Sequence, residues 1–107
     1  MKLKDKKITI MHTVIEKDEW GDVVEKTVPI PGGENLWAYV RHASGQEFFM
    51  ALQVLHRVEM IFEINWRDDI ELTHWIEYKG KRYDITRIDD FEGYKDTLRI
   101  YAYAKEG

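Results

Sequence analysis

From Val58 to Trp66 the chain alternates. Val58, Met60, Phe62, Ile64 and Trp66 fall on one side of an extended backbone. Glu59, Ile61, Glu63 and Asn65 fall on the other, which mostly faces water. A two-residue period marks a β-strand with one buried face, because successive side chains point to opposite sides of the pleat. This is the clearest strand in the protein, and the pattern recurs along the chain.

Ile8 to Ile15 is rich in β-branched residues, with Ile8, Ile10, His12 and Val14 on one face. The polar stretch from Glu16 to Asp22, containing Trp20-Gly21-Asp22, reads as a hairpin loop in which Gly21 gives access to positive φ. Val23 to Ile30 returns as a second strand. Pro29 and Pro31 put its end at a sheet edge or out of the sheet, since proline cannot donate to a ladder. Pro31-Gly32-Gly33 is the strongest breaker in the sequence. Leu36 to Arg41 is a third strand, with Trp37 and Tyr39 on one face and Ala38 and Val40 on the other. Trp75–Tyr78 and Arg82–Ile88 flank a turn at Lys79-Gly80-Lys81. Asp89 to Asp96, with Gly93, is a polar turn. Leu98 to Ala104 closes the series, with Leu98, Ile100, Ala102 and Ala104 on one face.

Residues 44–57 change period. Ser44 followed by Glu47 is a capping box, in which each side chain satisfies the other's free backbone amide. Phe48, Leu52 and Leu55 then fall at helical spacing, with Phe49 and Met50 beside them. The spacing predicts a helix of about three turns. It carries more large apolar residues than one buried stripe needs. Either it caps an open end of the same domain, or Phe48, Phe49, Leu52 and Leu55 anchor it on another chain. The sum is a mainly β fold: a small β-barrel or sandwich of about six to seven short antiparallel strands with one helical insertion. Closure is attractive because it removes edges that would otherwise aggregate.

Length places residues 1–107 in a single domain. With no cysteine, disulfides, thiolate metal sites and a cysteine nucleophile are excluded. The start of the chain reads as neither signal peptide nor membrane anchor. The net charge is −4, and residues 1–7 alone carry +3, which leaves −7 for the rest. An acidic body argues against a dedicated nucleic-acid binder. The basic start reads as a flexible arm that orders on a partner or as a solubilising tail.

No coherent chemistry emerges. His12, His42, His56 and His74 do not pair with one another at metal-ligand spacing. Ser44, the one serine, lies outside any nucleophile motif, and helix capping explains it. Neither phosphate-binding glycine motif is present. Asp68-Asp69 and Asp89-Asp90 lie in polar loops, where adjacent carboxylates are ordinarily solvated. Asp89 to Gly93 lacks the alternating oxygen ligands of a calcium loop. Trp37, Tyr39, Trp66, Tyr101 and Tyr103 stand on strands, where aromatics are usually core, cross-strand pairs or interface anchors. A base-stacking platform is the alternative, and it makes a small β-barrel nucleic-acid-binding module the second functional reading.

The order of motifs resembles the phage head–tail joining family, also called head-closure, stopper or head–tail adaptor proteins. The matching residues are Ile8-Thr9-Ile10, Trp20-Gly21-Asp22, Trp37-Ala38-Tyr39-Val40, Ser44-Gly45-Gln46-Glu47-Phe48-Phe49 and Phe62-Glu63-Ile64-Asn65-Trp66-Arg67. They continue with Ile76 to Ile85, Ile88-Asp89-Asp90 and Leu98-Arg99-Ile100-Tyr101-Ala102. The likeness runs over nearly the whole chain. Where the family often carries Ile-Arg-Tyr-Arg, this chain has Ile64-Asn65-Trp66-Arg67, so the first basic residue is absent. The resemblance implies a small β-barrel with a long helical or mobile insertion, with no catalytic residues and no cofactor. It implies a structural virion protein that forms a ring below the portal or its adaptor, closes the DNA-filled head and presents a docking surface to the tail. The implied partners are the portal or head–tail adaptor protein, a tail-terminator or tail-completion protein, and further copies of the chain in a ring formed on assembly, the oligomeric state in solution being left open. DNA passes through without specific binding. The implied location is the head–tail connector, reached from the host cytoplasm.

Overall fold

A computed structural model describes residues 3–54, 56–93 and 96–105. In chain order the elements are β1 (Lys6–Lys17), β2 (Val23–Pro29), β3 (Leu36–His42), α1 (Gly45–Gln53), β4 (Met60–Asn65), β5 (Trp75–Tyr78), β6 (Lys81–Asp89) and β7 (Thr97–Ala104). All strand pairs are antiparallel. The order β1-β3-β4-β7-β6-β5 closes on itself through a β1–β5 pairing, and β2 hangs on the outside of β1. The fold is therefore a closed six-stranded barrel with one extra strand and one helix, as the alternating pattern predicts.

Inward residues fill the barrel. Ile8, Ile10, Ala38, Phe62, Ile76, Ile100 and Ala102 are almost fully buried. Phe62 meets Tyr78 and Tyr83 in tilted or edge-on contacts, with ring centroids 5.4–5.8 Å apart. Small Ala38 and Ala102 make room for these rings, so large and small side chains share the section. A bulge between Ile85 and Arg87 shifts the period of β6. Ile85 and Ile88 then both reach the core although they are three residues apart.

The outward face of β4 differs from expectation. Ile61 and Glu63 are 0% and 4% exposed. β4 is a central strand, and its neighbours set large side chains beside both residues. Arg41 and Tyr101 flank Ile61, and Tyr39 and Arg99 flank Glu63. These four cover what the period alone assigns to water.

β1 serves three neighbours in turn. Lys6–Ile8 pair with β3, Thr9–Met11 with β5, and Met11–Lys17 with β2. The basic start is thus shorter than the expected arm, since Lys6 and Lys7 already lie in a strand. Beyond Met11, β1 and β2 leave the barrel as a two-stranded arm. Six further residues at roughly 3.3–3.4 Å each span about 20 Å, which accounts for a molecule 51 Å long and only 28 by 27 Å across.

The crossover at the base of the arm depends on Gly33. The Ile10 N–H donates to the Gly33 carbonyl (2.9 Å), and the Ile10 carbonyl accepts from Ile30 (3.0 Å). A Cβ on Gly33 would lie 2.5 Å from Ile30 Cγ1. Arg67 fixes the same turn from outside. It donates to the Gly32 and Pro31 carbonyls (2.7 and 2.9 Å) and binds both oxygens of Asp69 (2.8 and 2.6 Å). The Arg that ends the Ile-Asn-Trp-Arg run is therefore a brace for the breaker loop.

Candidate interaction surfaces

Helix α1 follows β3 directly. Ser44 is its N-cap: its Oγ accepts from the Glu47 N–H (3.2 Å), while Glu47 Oε1 accepts from the Ser44 N–H (2.9 Å). The capping box is present as the sequence predicts. Arg41, at the end of β3, adds a forked pair of bonds to the same carboxylate (2.7 and 2.9 Å). That guanidinium, aided by the Ser44 amide, overcomes burial and holds the Glu47 carboxyl down at about 2.

The helix is shorter than residues 44–57. It ends at Gln53 with Val54 as C-cap, and the His56 N–H folds back to the Ala51 carbonyl (2.9 Å). No residue of α1 is buried. Phe49 is 66% exposed, and Met50, Leu52 and Val54 are exposed too. Phe48 is half-buried and meets Phe49 edge-on, centroids 5.7 Å apart. Of the four expected anchors, Phe48, Phe49 and Leu52 lie on this helix, while Leu55 is outside the described residues. Between the helix and the barrel runs a groove of about 270 Å³, lined by Glu47, Met50, Ala51, Val54, His56, Val58, Arg87 and Tyr101.

The arm forms a second exposed surface. Asp18 Oδ1 accepts from the Trp20 and Asp22 amides (both 2.9 Å), and the Asp18 N–H donates to the Asp22 carbonyl (2.9 Å). Gly21 takes φ 81°, as its place in the loop requires. This fixed turn holds Trp20 83% exposed, with Ile15 and Val23 exposed on the strands behind it. Sequence reasoning found the loop but not its exposure. The signal was the absence of any alternating partner for Ile15 and Trp20.

A cleft of about 420 Å³ lies over Glu63 and is lined by Lys4, Tyr39, Phe91, Asp96, Thr97 and Arg99. Arg99 contacts Glu63 Oε1 (3.3 Å) and stacks on Phe91 (4.9 Å). A carboxylate held by a guanidinium that never gives up its proton is a structural pair, not an acid–base couple. Glu71 and His74 stand at Glu-x-x-His spacing, but on a turn. His74 Nδ1 accepts from the Glu71 amide (3.1 Å), and its ring is buried against His12. Burial pushes the His74 pKa down. Among the described residues no group of three or more acids and histidines could hold a metal ion, and no helix is long and apolar enough to cross a membrane.

The model of the phage head completion protein family matches residues 4–106. The chain belongs to that family. The family is one of phage structural proteins and not of enzymes, and its members act with other phage head or tail proteins in the virion. The head completion chain also has the fold of protein SF1141 from Shigella flexneri 2a, known from its solution structure. The TM-score is 0.76 at 24% identity, over 96% of this chain and 93% of that one. No curated protein matches it.

Proposed function

We propose that this head completion protein closes the DNA-filled head at the portal vertex. Copies form a ring on the portal or its adaptor, and the ring's outer surface docks the tail through a tail-terminator or tail-completion protein. One observation carries the reading: a helix pre-formed by a capping box and an ion pair, with no buried residue and with Phe49, Met50 and Leu52 in water, as is Val54 at its C-cap. Monomeric proteins rarely keep such a patch unless a partner covers it. α1 is then the element that packs on a neighbouring subunit or narrows the channel. The acidic body suits a DNA passage, since like charges repel and the duplex slides without being held.

The nucleic-acid reading has less support. Of its strand aromatics, Trp37 already lies under Lys7, Tyr101 under Arg87 and Tyr103 under Arg57, and the body around them is acidic. The test is the double substitution Phe49→Ser, Leu52→Ser. The isolated chain keeps its melting temperature, because both side chains are exposed, while heads assembled with it leak DNA and take no tails. Tailed, stable heads from this variant would overturn the role of α1.

A further inference from the structure

We infer that Trp20 of one copy inserts into the groove between α1 and the barrel of the next copy, so that the ring closes head to tail. The inference rests on the head-completion reading and deepens it. The two surfaces lie at opposite poles of one molecule. β3 runs antiparallel to β1, pairing Lys6 with Ala38 and Ile8 with Leu36. Its far end, His42, therefore lies away from the arm, and His42 leads straight into α1. An arm at one pole and its receptor at the other cannot meet within one chain. They form a heterologous contact, the kind that builds rings when its rotation closes.

The surfaces match in size and charge. The groove is smaller than the roughly 300–1,000 Å³ of small-molecule pockets and suits one large side chain. Met50, Ala51, Val54 and Val58 give it an apolar floor, and methionine adapts well to an aromatic ring. Residues 16–22 hold four carboxylates and one lysine, a net charge of −3 around Trp20. Arg87 stands at the groove with only a long carboxylate contact among the described residues, to Asp89 (3.8 Å), and Arg41 already neutralises Glu47 there. Trp20 sits on a turn fixed by Asp18, so its immobilisation costs little on binding. One such contact is weak, and copies stay apart in solution until the portal gathers them.

The chain has no cysteine, so paired thiols can report the contact. Glu19→Cys with Val54→Cys places one thiol beside Trp20 and one at the groove, both at exposed positions. In heads assembled with this variant, a short bifunctional thiol reagent gives a ladder of covalent multimers. Each single-cysteine variant, which could at most give a dimer, stays monomeric. In parallel, Trp20→Ala keeps the melting temperature but is lost from heads. Monomers alone from heads that contain the double variant overturn the contact and leave head completion standing, as do covalent dimers from either single variant. Heads that never take up the wild-type chain overturn the head-completion reading and this contact with it.

Discussion

The Arg41 guanidinium grips both carboxylate oxygens of Glu47 across the junction of β3 and α1, at 2.7 and 2.9 Å. A forked, charge-assisted pair fixes direction as well as distance. It aims the helix, which has no buried residue to do so. Glu47 is ordinarily a group of pKa 4.5 and is held at about 2 in the fold. A depressed folded pKa stabilises fully above 4.5, and the contribution is lost as the pH falls from there towards 2. Because the pair is partly solvated, the loss is only about 1 kcal/mol. Amide protection across residues 45–53, the exchange rate measured against that of the unfolded chain at the same pH, is expected to fall about fivefold over that window. Glu47→Gln should show the lowered protection already at pH 7.

Gly33 is the tightest point of the crossover. A methyl there strikes Ile30 and crowds the Ile10 carbonyl. Gly33→Ala should cost about 1–3 kcal/mol, as overpacking does. Chemical denaturation checks this, with Gly45→Ala as a comparison, since no atom lies within 4 Å of that added carbon.

Arg67 braces the same loop through two carbonyls and Asp69. Arg67→Ala removes these bonds from an exposed loop, where water replaces part of them, and should lower stability by about 0.5–1.5 kcal/mol. Arg67→Lys keeps the charge but not the planar fork, so it should recover less than half of the loss. Thermal melts of the three chains settle the order.

His74 is buried with its pKa pushed down from 6.5, first by burial and then by the charge of His12. The carboxylates of Glu71 and Asp69 oppose the shift. The unfolded chain therefore binds the proton more readily. Stability is full above pH 6.5 and falls as the pH drops through the folded value. Melting temperature is expected to decline between pH 7.5 and 5.5 in the wild type, and less in His74→Gln.

Much of the barrel was legible because each strand carries its own period. Trp75–Tyr78 and its two-residue turn, with Lys79 and Gly80 both at positive φ, are fixed by neighbours in sequence. So is the cap at Ser44. Burial of Ile61 and Glu63 was not legible, because the residues that cover them lie on other strands. The bulge in β6 showed only as the odd spacing of Ile85 and Ile88. The arm's projection depends on where β5 stops pairing with β1, and no local pattern marks that point. As for the candidate surface, the excess of apolar residues on α1 was visible from spacing. That the barrel leaves them uncovered was not.

The central claim, that this chain closes filled heads, is tested most directly by electron microscopy of particles assembled with and without it. The account predicts DNA-filled heads that leak or stay tailless when the protein is absent, and intact tailed particles when it is restored. Normal, infectious particles in its absence would contradict it.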